Sequence, residues 1–219
     1  MDFSFLSKYY MFFLIGAKNT ILIAVFVVLF GVIIGIILAL MKISNNKLFN
    51  ILASIYIEFI RGTPVLVQLF IVFFGLPKFP GMLGDHMEYI AGVIALSINS
   101  GAYVAEIIRA GIQAVDKGQM EAARSLGIPR SMAMRFVIIP QAFKNILPAL
   151  GNEFITVIKE SSIVSIIGIN ELMYNTQTVQ SNSFRPFEPL IVVAGMYFIM
   201  TFTLSKVLGK VERGMRARD

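Results

Sequence analysis

The stretch ILIAVFVVLFGVIIGIILAL, residues 21–40, is twenty residues long and contains no charged or polar side chain. At about 1.5 Å of rise per residue, such a helix spans roughly 30 Å, the thickness of the hydrocarbon core of a bilayer. A secretory signal peptide is the alternative, but the apolar core is too long, and residues 44–47 offer no small-residue cleavage site. The stretch therefore predicts a helix that stays in the membrane.

The whole chain has the composition of a membrane protein, because 57% of its 219 residues are hydrophobic and only 15% are charged. This composition predicts an all-α membrane protein, with residues 1–219 forming a single transmembrane domain. Residues 1–10 predict a short amphipathic helix on the outer surface, and residues 173–187 a polar outer connection. Five spans are expected at about residues 15–41, 48–75, 89–112, 142–163 and 189–208, with an inner loop at about 113–141.

Lysine and arginine near the span ends predict the orientation. With the N-terminus outside, thirteen of the 19 basic residues lie in inner segments and five in outer segments, and Arg61 lies within a span. The inner set is Lys42, Lys47, Arg109, Lys117, Arg124, Arg130, Arg135, Lys144, Lys206, Lys210, Arg213, Arg216 and Arg218; the outer set is Lys8, Lys18, Lys78, Lys159 and Arg185. This asymmetry places the N-terminus outside and the C-terminus inside.

Several classes of function are excluded by what the chain lacks. Without cysteine it has no disulfide, thiolate nucleophile or cysteine-ligated metal site. Its single histidine, His86, has no partner at metal-ligand spacing. The net charge of +6 follows from membrane topology and basic tail contacts with anionic lipid, so nucleic acid is not an expected partner.

Two predicted spans carry small residues at every fourth position, which lets helix backbones approach closely. These stripes pack either within the chain or at a subunit interface, and both alternatives stay open. The stripes are Gly31, Gly35 and Ala39 in the first span, and Ser97, Gly101 and Ala105 in the third.

The inner loop contains the stretch EAARSLGIPRSMAMRFVIIP, residues 121–140. A helix is predicted over residues 116–126, because Gly127 can adopt the left-handed conformation that ends a helix and Pro129 favours the start of the next. A short rigid helix held between two spans fits a groove on a partner protein. The alternative is a solvated helix at the membrane surface.

The run AYVAEIIRAGIQAVDKGQMEAARSLG, residues 102–127, followed by Ile139 and Pro140, resembles the signature region of the polar amino-acid branch of ABC importer permeases. The run RGTPVLVQL, residues 61–69, resembles the second signature of that branch. The likeness covers nearly the whole chain. The inner-loop pattern of the family often ends in Leu-Pro, and Ile139-Pro140 is a conservative departure.

The resemblance implies the type I importer fold in a bacterial cytoplasmic membrane. It implies a permease dimer, expected to be a homodimer, with two ATPase subunits below it and an extracytoplasmic substrate-binding protein above it. ATP and Mg²⁺ belong to the ATPase, because this chain has no GxxxxGK[ST] phosphate loop and needs no cofactor of its own. The residues implied to contact the ATPase are Glu121, Ala122, Ala123 and Gly127.

Charged groups within a bilayer cost at least about 2.5–3.5 kcal/mol each and therefore indicate functional sites. Arg61, Asn99 and Glu153 lie near the middle of the second, third and fourth predicted spans. Spacing predicts that Arg61 pairs with Glu58, and a second pair is predicted between Glu106 and Arg109. Glu153 has no basic residue within four positions, so it needs a partner from elsewhere: Arg61 as a structural ion pair, or a cationic ligand.

Pro64 should interrupt the second span, and a helix that restarts there offers free amide N–H groups suited to a carboxylate. We hypothesise that Thr63, neighbouring amides and Asn99 bind the α-carboxylate and α-amino groups of an amino acid. Glu153 would bind a cationic side chain, with Tyr103 as an aromatic wall. This site favours arginine, lysine or histidine over glutamine or glutamate. A stand-alone channel or secondary transporter is the alternative class, although no internal repeat supports it.

Overall fold

The structure is a computed structural model that describes residues 1–76 and 86–216, and these residues are helical apart from short connections. The helices are α1 (Leu6–Ile43), α2 (Lys47–Gly62), α3 (Val65–Gly75), α4 (Met87–Gln113), α5 (Lys117–Ser125), α6 (Arg130–Ala133), α7 (Ile139–Glu160), α8 (Leu172–Ser183) and α9 (Glu188–Arg216). A π-helix, Met134–Ile138, joins α6 to α7, and a 3₁₀ helix, Ser161–Ile167, follows α7. Lys78 and Arg218, used above for the orientation, lie outside the described residues.

Three helices in the described part are long and apolar enough to cross a membrane: Leu6–Ile43, Met87–Gln113 and Glu188–Met215. Helices α2 and α3 meet this criterion only together, and they are bent by 107° at the break between them. The fourth predicted span corresponds to α7, which does not meet it. This helix is more polar because it carries Lys144, Glu153 and several amide side chains.

The N-terminal helix differs from the prediction. No separate amphipathic helix occupies residues 1–10, because α1 runs without a break from Leu6 to Ile43. The segment from residue 6 to residue 15 contains no glycine or proline that could end a helix, so the helix of the first span continues to Leu6. At 38 residues α1 is about 57 Å long. The predicted polar connection at 173–187 is largely the helix α8.

The two small-residue stripes pack against each other within the chain, because α1 and α4 form the main helix pair of the bundle. A Cβ atom added at Gly31 would lie 3.0 Å from Ser100 Oγ, and one added at Gly35 would lie 2.6 Å from Val104 Cβ. The intramolecular alternative for these stripes is therefore the one that the structure adopts. This close approach positions Ser100 and its neighbours in the centre of the bundle.

A third glycine, Gly16, brings α1 against the start of α8. A Cβ atom at this position would lie 2.7 Å from the backbone Cα of Leu172, which cannot rotate away as a side chain would. We expect Gly16→Ala to lower the free energy of unfolding by about 1–3 kcal/mol. Thermal unfolding in detergent would measure it, with Gly195→Ala as control because a Cβ at Gly195 meets nothing within 4 Å. Equal unfolding temperatures would contradict the close approach.

The same junction contains a fully buried carboxylate, that of Glu171 at the start of α8. Its Oε1 accepts a hydrogen bond from the backbone N–H of Tyr174, at 2.7 Å. Its Oε2 accepts hydrogen bonds from the hydroxyls of Thr20, at 3.3 Å, and Tyr197, at 3.1 Å. One acidic side chain therefore joins α1, α8 and α9.

Burial raises the pKa of Glu171 above its usual 4.5, although its hydrogen bonds oppose the shift. The unfolded chain then releases this proton at a lower pH than the folded protein does. We therefore expect stability to fall as the pH rises from about 4.5 through the raised pKa, and Glu171→Gln to remove this part of the decline. Unfolding temperatures between about pH 4.5 and about pH 8 would measure it, with Glu121→Gln on the exposed loop as control. Parallel pH curves for wild type and Glu171→Gln would refute the prediction.

Candidate functional site

The break between α2 and α3 confirms the interruption predicted at Pro64. Helix α2 ends at Gly62, Thr63 is extended, and α3 begins directly after Pro64. Proline has no N–H to donate and disfavours the helical conformation in the residue before it. The Thr63 hydroxyl donates to the carbonyl of Phe59 at 3.0 Å and so replaces part of the missing helical hydrogen bonding.

Gln68, buried within the first turn of α3, links this break to α4. Its Nε2 donates to the carbonyl oxygens of Ile60 at 2.7 Å and Thr63 at 3.1 Å, and to the Thr63 hydroxyl at 2.9 Å. Its Oε1 accepts a hydrogen bond from Asn99 Nδ2 at 3.0 Å. Two of the predicted site residues, Thr63 and Asn99, are therefore brought together through a third side chain.

Glu153, on α7, contacts α4 at Ser100, the residue that follows Asn99. The Ser100 hydroxyl donates to Glu153 Oε1 at 2.8 Å, and the carboxylate is half-buried between α4 and α7. Consecutive residues of α4 thus bind two different elements: Asn99 binds the broken helix, and Ser100 binds α7. The α2–α3 break and Glu153 of α7 therefore contact the same turn of α4, through Asn99 and Ser100 respectively.

Arg61 and Tyr103 form a second contact between α2 and α4. The guanidinium carbon of Arg61 lies 5.3 Å from the centre of the Tyr103 ring, within the range of a cation–π interaction. The predicted pair of Arg61 with Glu58 is not formed, because the arginine extends along α4 instead. Among the described residues no ion pair joins Arg61 to Glu153 either, whereas the predicted pair of α4 is present, with Arg109 Nη2 2.7 Å from Glu106 Oε2.

Two residues of this arrangement were given no role by the sequence reasoning. Gln68 is part of the quoted RGTPVLVQL run, and its distance of four residues from Pro64 could have indicated a side chain that caps the break. Ser100 lies next to Asn99 and at the depth of Glu153, where an isolated carboxylate needs a hydrogen-bond donor. Neither partner could be identified without knowing which helix faces which.

A cavity of 1130 Å³ opens among the C-terminal ends of α4 and α9 and the N-terminal half of α7. It extends along α7 as far as Asn152, the residue before Glu153, and its lining mixes polar and apolar side chains. Its lining includes Gly111, Asp116, Gln141, Asn145, Asn152 and Glu212. The cavity therefore ends one residue short of Glu153, which does not line it.

The loop itself contains the predicted short helix, observed as α5, and Asp116 caps its N-terminus through the N–H of Gly118. Gly127 adopts φ +79°, as expected for a left-handed residue that ends a helix. The amide of Ile128 donates to the carbonyl of Ala123 at 3.1 Å, and the amide of Gly127 to that of Arg124 at 3.0 Å. These two bonds form a Schellman motif, which makes the end of α5 rigid.

The residues predicted to face the ATPase are not equally accessible. Glu121 and Ala122 are exposed, and Leu126 is 81% exposed. Ala123 is only 5% exposed, because α5 packs that side onto α6 and the π-helix of its own chain. Ala123 therefore mainly supports α5 from within its own chain, and its implied contact with the ATPase stays a prediction.

Comparison with known proteins agrees with this architecture. A family model described as "Binding-protein-dependent transport system inner membrane component" matches residues 31–217. The arginine transport system permease protein ArtQ of Bacillus subtilis (strain 168) is 43% identical over 219 residues, covering 100% of this chain and 99% of the relative. The putative glutamine transport system permease protein GlnP of Rickettsia conorii (strain ATCC VR-613 / Malish 7) is 42% identical, covering 97% and 98%. A solved structure, "Crystal structure of an amino acid ABC transporter with histidines", is 53% identical with a TM-score of 0.87, covering 97% of this chain and 99% of that one.

A helical bundle with one sharply broken helix, a polar centre and a rigid loop defines the membrane component of a transporter. The chain belongs to the family of binding-protein-dependent transport system inner membrane components. It is a permease of an amino-acid ABC importer and has the type I permease fold of that class. Membership in this family implies a substrate-binding protein and an ATPase as partners.

Proposed function

We propose that this permease transports basic amino acids and binds them between the α2–α3 break and Glu153. The observation that carries the proposal is the pairing of Asn99 with the broken helix and of Ser100 with Glu153. An amino acid has its charged α-groups at one end and its side chain at the other. A site with a helix N-terminus on one side and a carboxylate on the other matches a ligand of that polarity.

The α-carboxylate binds at the start of α3. The first backbone donors there are the N–H groups of Val65 and Leu66, and neither makes a hydrogen bond within the described part of the chain. Free N–H groups together with the positive end of the helix dipole favour an anion. The Thr63 hydroxyl already donates to Phe59, so it shapes this end of the site and leaves the amides to bind the carboxylate.

The cationic side chain binds to Glu153. Ser100 occupies one of its oxygens and leaves Oε2 to accept from a guanidinium or ammonium group. A half-buried carboxylate without a basic partner gains most from a ligand that brings a positive charge. Tyr103, which is 37% exposed and carries Arg61 on its ring, forms the aromatic wall of the site.

A glutamine or glutamate permease is the second candidate, since relatives named for glutamine transport are about as similar as the one named for arginine transport. A glutamine side-chain amide can also donate to Glu153. It carries no charge, however, so the carboxylate would stay buried without a counter-charge in the complex. Glutamate would add a second negative charge. The carboxylate of Glu153 therefore favours binding of basic amino acids over glutamine and glutamate.

In the assembled importer, two copies of this permease form the pathway, each with five spans, the N-terminus outside and the C-terminus inside. Two ATPase subunits bind the exposed residues Glu121, Ala122 and Leu126 of the loop. Closure of the ATPase dimer then moves two rigid α5 helices together, and α6, the π-helix and α7, which pack one on the next, transmit the movement towards the site. The complex resides in a bacterial cytoplasmic membrane.

The proposal is tested with the permease–ATPase complex reconstituted in vesicles together with its binding protein. Radiolabelled arginine should accumulate only with ATP, and excess lysine or histidine should compete with it more strongly than glutamine or glutamate. Accumulation without an ATPase would overturn the proposed mechanism. Competition led by glutamine would overturn the assignment to basic amino acids and support the second candidate.

A further inference from the structure

We propose that Gln68 is a positioning residue that orients the side-chain amide of Asn99, so that Asn99 Oδ1 accepts from the α-amino group of the substrate. The proposal rests on the proposed function, because it concerns the same site. It identifies which part of the substrate Asn99 recognises. It also explains why a glutamine, rather than an apolar residue of similar size, is buried beside the break.

The argument begins with the backbone carbonyls that the break leaves without helical donors. The carbonyl oxygens of Ile60 and Thr63 can only accept hydrogen bonds, and both lie within 3.1 Å of the same Gln68 nitrogen. The amide group of glutamine has one end that donates and one that accepts. The donating NH₂ group of Gln68 must therefore face the break, because the reverse orientation would place three oxygens together.

This orientation determines that of Asn99. With its NH₂ group directed to the break, Gln68 presents Oε1 to α4, and only a donor can pair with it. Asn99 therefore directs Nδ2 towards Gln68, at 3.0 Å, and its Oδ1 points away. No hydrogen bond to Asn99 Oδ1 is formed by any described residue, so the orientation leaves one acceptor available to a ligand.

Burial makes the orientation hard to reverse. Gln68 is 5% exposed and Asn99 is 6% exposed, so a partner lost on the side where the two amides meet is poorly replaced by water. Rotating the Asn99 amide by half a turn would set its oxygen against Gln68 Oε1 and leave that oxygen of Gln68 without a donor. Such an unpaired group is costly, and the break of α2 and α3 thereby controls the polarity of a side chain on another helix.

An acceptor in this place suits a protonated amine. The free N–H groups of Val65 and Leu66 are donors and suit the carboxylate, so the two ends of the site differ in hydrogen-bonding polarity. The substrate can then bind its α-amino and α-carboxylate groups in only one arrangement. Since every α-amino acid has both groups, this feature selects amino acids as a class, while Glu153 selects among them.

The test compares three ligands on the permease–ATPase complex in nanodiscs without binding protein: arginine, 5-guanidinopentanoate, which lacks the α-amino group, and agmatine, which lacks the carboxylate. In the wild type, loss of the α-amino group should weaken binding about tenfold or more, as expected for a hydrogen bond to a charged donor. In Gln68→Met, which keeps the size but not the polarity, that preference should fall to about twofold or less, because Asn99 is no longer held. The preference for arginine over agmatine should stay unchanged, and a merely structural defect would lower both.

Gln68→Glu is the matched control, because a neutral carboxyl group at this position donates its O–H to the break and still presents its other oxygen to Asn99 as an acceptor. It should keep the preference for the α-amino group, and its loss in this variant would overturn the proposal even if Gln68→Met does not assemble. An undiminished preference in Gln68→Met, or no preference in the wild type, would overturn it as well. If the wild-type complex binds neither arginine nor glutamine, the proposed function fails instead, so the two failures are distinguishable.

Discussion

Replacing Glu153 by glutamine is expected to lower ATP-driven arginine uptake by about 10–100-fold, since the charged hydrogen bond to the substrate is lost while the shape is kept. Ser100 can still donate to the side-chain oxygen of the new residue, so the packing of α4 against α7 should persist. Vesicle uptake at several arginine concentrations measures the effect, and most of it should appear as weaker apparent affinity.

The matched control is Glu160→Gln, the same change two turns further along α7. It should leave uptake within about twofold of the wild type, and both variants should copurify with the ATPase in normal amounts. Unchanged arginine uptake in Glu153→Gln would refute the assignment of Glu153 to the substrate. A loss of ATPase association would instead mean that Glu153 acts in folding.

Replacing Gly127 by valine is expected to lower ATP-driven uptake by about tenfold or more while arginine binding to the complex stays unchanged. Gly127 has φ +79°, a conformation that costs an ordinary residue roughly 1–2 kcal/mol and a β-branched one more. To avoid that conformation, the chain must give up the Schellman motif, and α5 then loses the rigid end that sets its direction. Coupling needs a stiff element whose position both sites influence.

Uptake and ATPase activity, measured together, separate this effect from general damage. Gly195→Val is the control, since Gly195 has an ordinary helical conformation and a Cβ there meets nothing within 4 Å. In Gly127→Val, ATP hydrolysis should become independent of substrate and binding protein. Normal coupled uptake in this variant would exclude a role for the rigid end of α5 in transmitting movement.

The features that could be predicted from sequence are those set by the local chain. Pro64 separates α2 from α3 because it lacks an N–H and disfavours the helical conformation in the residue before it. Gly127 ends α5 because a glycine adopts the left-handed conformation more easily than other residues do. The Glu106–Arg109 pair needs only helical spacing, and the family resemblance of the two quoted runs needed no structure. The number of spans was harder to predict, because α7 carries more polar side chains than a helix that faces lipid does.

The errors concern side chains whose partners lie on other helices. Arg61 was assigned to Glu58 by spacing, yet it contacts Tyr103 on α4. The resemblance implies an ATPase contact for Ala123, and the packing of this residue onto its own chain was likewise not predicted. In both cases the sequence shows which residues share a face of a helix and carries no information on what that face meets.

The amino-acid sequence by itself determined that the chain is a helical membrane protein, where its second span breaks, and where its inner loop turns. These features follow from apolar length and from the backbone restrictions of single residues. Only the tertiary structure decided that Gln68 joins Thr63 to Asn99 and that Ser100 binds Glu153. Such contacts depend on the relative rotation and depth of packed helices, which are set by close approaches such as that of Gly31 to Ser100 and not by any local pattern.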